Sequence, residues 1–127
     1  EIMPSLVGSE MCIRDRADIM HAACEQCGRN SIPTLEFMQF EKAMENVKAD
    51  RCYMLALSST VAPRLTRISS VAFAVGPEGG FSANEIAIAA KFGWESVLIG
   101  PRVLRTETAG LVAATLANAA SGDMKFY

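Results

Sequence analysis

Histidine is nearly absent from these 127 residues: His21 stands alone, ahead of the strand-rich half of the chain. A Ser-His-Asp arrangement therefore has no credible base. No stretch reaches the roughly 18 to 20 uninterrupted apolar residues that span a bilayer. The longest mostly apolar run, Ala109 to Ala120, is broken by Thr115 and Asn118. Positive charge is also scarce. Twelve Lys and Arg against 14 Asp and Glu leave a net charge of −2, unlike the basic footprint of a chain that grips nucleic acid unaided. The balance is uneven, with five basic and nine acidic side chains in residues 1–50 and seven and five in residues 51–127. Any grip on phosphate must then come from a local patch, another domain or a second subunit. Neither G-x-G-x-x-G nor G-K-[ST] occurs, so a bound ligand is not held mainly by its phosphates.

Cysteine is present but poorly placed for a metal. Of Cys12, Cys24, Cys27 and Cys52, only Cys24 and Cys27 have C-x-x-C spacing, with His21 three residues earlier. A structural zinc site takes four ligands, usually as two such pairs. No strand pattern leads into Cys24-Glu-Gln-Cys27, as a thioredoxin-type motif requires. The cysteines read as reduced thiols of a cytosolic protein, and no metal is expected.

What remains is a chain that is 50% hydrophobic and 20% charged, long enough for one soluble domain with a real core. The opening stretch through Asp15 shows no sustained period and lacks the order of a secretion signal. Its Pro4 to Arg16 run looks like translated adapter sequence, so residues 1–15 are expected to be a non-native leader. From Arg16, Ile19, Ala23 and Cys27 recur at helical spacing, with Gly28 and Pro33 as stop signals. Phe37, Phe40, Met44 and Val47 predict a helix over 35–49. Short apolar runs predict buried strands over 52–57, 71–75 and 97–99. Ser82-Ala-Asn-Glu85 has the spacing of a capping box, opening a helix that turns Ile86, Ala87 and Ala90 inward and stops near Gly93. Phe92 and Trp94 are expected to pack under that turn. Ala109 to Ala120 predicts a final helix. Buried strands separated by helices indicate an α/β fold, a mainly parallel sheet covered on both faces.

In such sheets, ligands bind beyond the carboxyl ends of the strands. Each predicted strand runs there into an unusual loop: Leu57-Ser58-Ser59, Gly76-Pro-Glu-Gly-Gly80 and Gly100-Pro-Arg-Val-Leu-Arg105. Glycine tolerates dihedrals that other residues avoid and lets a ligand approach the backbone. Turning the chain explains the glycines but not Glu78, Arg102 and Arg105 placed among them.

Gly76-Pro-Glu-Gly-Gly-Phe-Ser82, then Glu85, then Leu98-Ile-Gly-Pro-Arg-Val-Leu-Arg-Thr-Glu-Thr-Ala109 resembles the signature of the ribosomal RNA small-subunit methyltransferase E family, of the SPOUT class. Glu25-Gln-Cys-Gly-Arg-Asn30 with Pro33 is similar to that family's upstream element. The resemblance covers roughly residues 16–123. It implies methyl transfer from S-adenosylmethionine to N3 of a uridine in small-subunit (16S) ribosomal RNA, by a cytoplasmic homodimer acting on the RNA or the small ribosomal subunit. It also implies a C-terminal trefoil knot, a rare exception to chain-topology rules, and a bent cofactor held largely by backbone groups of the knot loops. Members carry a barrel domain similar to RNA-binding PUA modules ahead of the catalytic one. Here residues 16–127 would be a catalytic domain without it.

Under that resemblance Leu57, Gly76, Gly80, Leu98, Ile99, Gly100, Val103 and Leu104 are the expected cofactor-binding residues. Uracil N3 is protonated at neutral pH, so its methylation needs a proton acceptor or cations that stabilise the uracil anion. Arg102 and Arg105 are candidates for stabilising the anion and orienting phosphate, because guanidinium offers planar, paired donors. Glu78 is a candidate proton acceptor, or equally a loop anchor that accepts backbone N–H groups. Glu107 and Thr108 sit where a carboxylate is stabilised by a helix dipole. Two other readings are a non-catalytic knotted module that dimerises or binds RNA, and a doubly wound nucleotide binder with an atypical loop.

Overall fold

The computed structural model describes residues 10–122, which fall into two compact units, residues 10–37 and residues 38–122. The first is built on helix α1 (Glu10–Cys27). It starts at Glu10 rather than Arg16, so the expected leader overlaps the helix, and only residues 1–9 of that leader lie outside the described residues. The stripe that Ile19, Ala23 and Cys27 mark is not the buried one. Ile19 is 68% exposed, and Ala23 and Cys27 are exposed with it, whereas Cys24 is buried and Ala17 and Met20 are half-buried. Both stripes have helical spacing, and periodicity alone cannot choose between them. Gly28, at φ +75°, ends the helix in the left-handed region, and the Arg29 amide donates to the Cys24 carbonyl at 2.9 Å.

The second unit runs α2 (Phe40–Asn46), β1 (Arg51–Leu55), β2 (Val71–Ala74), α3 (Ala83–Lys91), β3 (Glu95–Val97) and α4 (Thr106–Ser121). The strands pair in parallel in the order β2-β1-β3. Tyr53 stands opposite both Phe73 on β2 and Glu95 on β3. Alternate side chains point to opposite faces. Met54, Ala72 and Ala74 pack with Met44 of α2, Ala89 of α3 and Trp94. Tyr53, Phe73 and Val97 pack on the other face with Ala113 of α4. The sheet is thus covered by helices on both faces, as the uninterrupted apolar strands require.

Several boundaries differ from the sequence expectation for local reasons. The helix expected over 35–49 shrinks to α2, because Gln39 and Val47 both flank it in extended conformation. Val47 still packs against the core, so the apolar spacing is satisfied without a longer helix. β3 ends at Val97, since the Leu98 amide donates instead to the Val61 carbonyl at 2.8 Å. Helix α4 opens at Thr106, ahead of the expected Ala109. On α3 the inward positions are Ala89 and Ile86, while Ala87 and Ala90 are exposed. Ser82 and Glu85 form the expected capping box: the Ser82 amide donates to the Glu85 carboxylate at 2.8 Å and the Glu85 amide to the Ser82 hydroxyl at 3.1 Å. Trp94 is buried as expected, and its indole N–H donates to the Met44 carbonyl at 2.9 Å.

Parallel strands need a crossover, usually a helix. Residues 56–70 make the β1-to-β2 crossover as irregular chain. Hydrogen bonds hold it instead. The buried Tyr53 hydroxyl donates to the Arg64 carbonyl and accepts from the Arg64 amide, both at 2.9 Å. Near the start of β1, Asp50 accepts from the Ser69 amide at 2.7 Å and donates its own amide to the Ser70 hydroxyl at 2.9 Å. Among the described residues, no helix is long and apolar enough to cross a membrane.

Candidate functional site

The three strand-end loops converge within the second unit. After β1, the Ala56 amide donates to the Val97 carbonyl at 3.0 Å. The Ser59 hydroxyl donates to the Ser96 carbonyl at 2.8 Å and accepts from the Val61 amide at 3.1 Å. The first loop is thereby fastened to the end of β3. After β2, the Gly80 amide closes a tight turn on the Pro77 carbonyl at 2.8 Å, with Glu78 and Gly79 at its tip. After β3, the chain runs through Arg102 and Arg105 into α4. There the Thr106 hydroxyl donates to the Gly76 carbonyl at 3.0 Å, joining the second loop to the third.

Between these loops lies a cavity of about 710 Å³, within the roughly 300–1,000 Å³ typical of small-molecule and cofactor sites. Leu57 and Ser58 line it from the first loop, Gly76, Glu78 and Gly80 from the second, and Leu98 and Ile99 from the end of β3. Arg102, Val103, Leu104 and Arg105 complete the wall from the third loop. The expected site residues are therefore together, with one exception. Gly100 does not line the cavity; at φ +71° it turns the chain beyond Ile99. The lining also includes residues the sequence did not single out for the site, among them Phe81, Ile86, Thr106 and Ala109. Thr106 was findable only as a neighbour of Arg105; its bond to Gly76 joins positions 30 apart in the chain and leaves no local pattern.

The glycines serve different ends. Gly76 is not in the left-handed region, but a Cβ there would lie 3.2 Å from the Phe81 ring, so its lack of a side chain allows close packing. Gly80 has φ +76°, and a Cβ there would meet nothing within 4 Å. Space beside its backbone is open. The side chains of the wall divide by character: leucine, isoleucine and valine supply nine of the 21 lining residues, while Glu78, Arg102 and Arg105 are exposed. Such a cleft takes an apolar ring against its wall and an anionic group beside its guanidinium groups. The C-x-x-C cysteines belong to the other unit, and among the described residues no cluster of three or more His, Cys, Asp or Glu side chains gathers.

A parallel sheet with a glycine-rich, cation-bearing cavity beyond its strand ends is the architecture of an RNA methyltransferase domain: residues 10–118 match the family of that description, and the chain belongs to it. Its relatives include the ribosomal RNA small subunit methyltransferase E of Buchnera aphidicola subsp. Schizaphis graminum, 32% identical over 112 residues. That match takes in 84% of this chain and 45% of the relative, so the chain spans about half the length of the curated relatives it matches. Two crystal structures share the fold. One is the ribosomal RNA small subunit methyltransferase E of Neisseria gonorrhoeae bound to S-adenosylmethionine, at TM-score 0.71 and 29% identity, covering 90% of this chain and 50% of that one. The other is a Legionella pneumophila methyltransferase in complex with the same cofactor, at TM-score 0.73 and 32% identity, covering 91% and 50%. The family resemblance carried by Gly76–Ser82 and Leu98–Ala109 is thus shown.

Proposed function

We propose that this chain binds S-adenosylmethionine in the strand-end cavity and transfers its methyl group to N3 of a uridine in small-subunit ribosomal RNA. One observation carries the proposal: a single cavity gathers the apolar wall, the open glycine backbone, the carboxylate and both guanidinium groups. The donor set fits the cofactor. Leu57, Leu98, Ile99, Val103 and Leu104 supply apolar surface for an adenosyl group, and the open space beside Gly80 admits close approach to the backbone. When bound, the cofactor supplies an electrophilic methyl carbon on a sulfonium.

The chain's own residues must then orient the acceptor and deal with its proton. Removing the N3 proton leaves an anion spread over the uracil carbonyl oxygens, which Arg102 and Arg105 stabilise with paired donors. Glu78, at the tip of the second loop, receives the proton. Arg105, exposed at the N-cap position of α4, stands in the cavity wall where its donors can reach such an anion.

The finer assembly follows the same reading. A second copy of the chain would cover Val103 and Leu111, which are 74% and 68% exposed at the third loop and on α4. The bonds from Thr106 to Gly76 and from Leu98 to Val61 are the loop contacts a knotted C-terminal segment would make. Ribosomal RNA as substrate implies action in the cytoplasm.

The test has two arms. Calorimetry on the chain should show S-adenosylmethionine binding; its absence overturns the cofactor assignment. In a full-length version, labelled methyl should appear as N3-methyluridine in digested small-subunit RNA, and label on another atom overturns the N3 assignment. Arg105→Ala and Glu78→Gln should each lower that rate by about 100-fold or more. A rate near wild type for either removes that residue from the mechanism.

A further inference from the structure

We infer that Thr106 is a positioning residue: its hydroxyl latches the Gly76–Gly80 loop to the start of α4 and so holds Glu78 and Arg105 in register across one cofactor site. This rests on the cofactor assignment proposed above.

The two loops arrive from different strands, and parallel pairing to β1 fixes only the strands themselves. Beyond Ala74 and Val97 the chain leaves the sheet ladder. The second loop is held internally by the Gly80-to-Pro77 turn and by Phe81 packed close under Gly76. Neither contact refers to the third loop. The third loop is fixed at its far end by the first helical bond of α4, from the Ala109 amide to the Arg105 carbonyl at 2.7 Å. That bond in turn says nothing about Glu78. The hydroxyl of Thr106, bonded to the Gly76 carbonyl at 3.0 Å, spans the gap. Its donor sits one residue after Arg105, and its acceptor two residues before Glu78. Few residue types could do this from the first turn of a helix, where a short side-chain donor must reach sideways. Serine keeps the donor, valine keeps the shape and loses it.

Losing the bond leaves the Gly76 carbonyl facing the cavity wall without its partner and lets the two loops separate. The effect falls on the geometry of the occupied site rather than on the core, because Thr106 belongs to neither buried cluster. Thr106→Val should therefore weaken S-adenosylmethionine binding by about five- to tenfold, the range of one hydrogen bond, with binding stoichiometry unchanged. Thr106→Ser should restore affinity to within about twofold. Thr106→Ala, which adds no methyl groups near the loop, should match Thr106→Val.

Calorimetry of the wild-type chain and the three variants decides the matter, alongside thermal melting of each. A wild-type chain that fails to bind overturns the cofactor assignment and the latch with it. Wild-type binding with unchanged affinity in both Thr106→Val and Thr106→Ala overturns the latch alone. A lower stoichiometry at wild-type affinity, or loss of a cooperative melt in both removals, also overturns it, because either would make Thr106 merely structural.

Discussion

Gly76→Ala separates two reasons for a glycine at a strand end. The new Cβ would stand 3.2 Å from Cδ2 and Cε2 of Phe81 and 3.4 Å from the Gly80 carbonyl carbon. Backbone strain is not at issue, since Gly76 lies outside the left-handed region. On its core side Phe81 is backed by packed neighbours: its ring centroid is 5.9 Å from that of Phe40, and it packs against the core that holds Met44 and Trp94. Such overpacking costs about 1–2 kcal/mol, while alanine regains about 0.4–1 kcal/mol by restricting the unfolded chain. The net loss, centred on about 0.8 kcal/mol, lowers the melting temperature of a domain this size by roughly 2–6 °C. Phe81→Leu on top of Gly76→Ala should recover part of the loss, giving a coupling of about 0.5 kcal/mol or more in a double-mutant cycle. Gly80→Ala behaves differently: at φ +76° with open space around it, it costs about 1–2 kcal/mol of backbone strain and shows no coupling to Phe81. A Gly76→Ala chain that melts at or above wild type, or that shows no coupling to Phe81, would refute the packing argument.

Two further outcomes test the supports around the site. Tyr53→Phe removes the hydroxyl that both donates to and accepts from the Arg64 backbone, and should cost about 1–2 kcal/mol with faster hydrogen exchange at the Arg64 amide; unchanged exchange would show that the crossover is held by something else. Burial chiefly pushes the Cys52 thiol above its ordinary value of 9.0, against smaller opposing effects from an Ala49 backbone hydrogen bond and the Lys48 charge. The folded chain thus holds that proton more tightly than the unfolded one, so the thiol's stabilisation is complete below the unfolded value and is lost as pH rises through the folded one. Melting followed from about pH 8 to about pH 11 should decline less in Cys52→Ala than in wild type, and parallel declines would refute the assignment.

The readable parts of this sequence were those where one local cause dominates. Ser82 and Glu85 sit three apart and cap α3 reciprocally whatever surrounds them. Val71 to Ala74 is apolar at every position because both of its faces are covered. The second and third strand-end loops declared themselves by glycine and charge, and all but Gly100 of the expected site residues meet at the cavity. Where two conformations satisfy the same pattern, the sequence was mute. Val47 packs equally well from an extended flank as from a helix, and Ile19 and Cys24 define rival stripes on α1. β3 hid its first two residues because Glu95 and Ser96, on an edge strand, are polar and precede the apolar run. Thr106 stood within the Leu98–Ala109 signature, but its bond to Gly76 was not legible for a different reason: the partner is set by tertiary approach, which no spacing records.

The missing crossover helix ties the core to the site. Since residues 56–70 leave one face of the sheet without a local helix, α4 must cover it from far along the chain. It lies close because Ala113 and Ala117 face the sheet, and Ala113 is fully buried against Tyr53, Phe73 and Val97. The same helix supplies Ala109 and Thr106 to the cavity wall, about one and two turns earlier respectively. A helix is stiff over that distance, and close-packed interiors transmit displacement rather than absorb it. A larger side chain at Ala113 would lift α4 from the sheet and carry Thr106 away from Gly76. Ala113 and Ala117 thus set the width of a cavity that they do not themselves line.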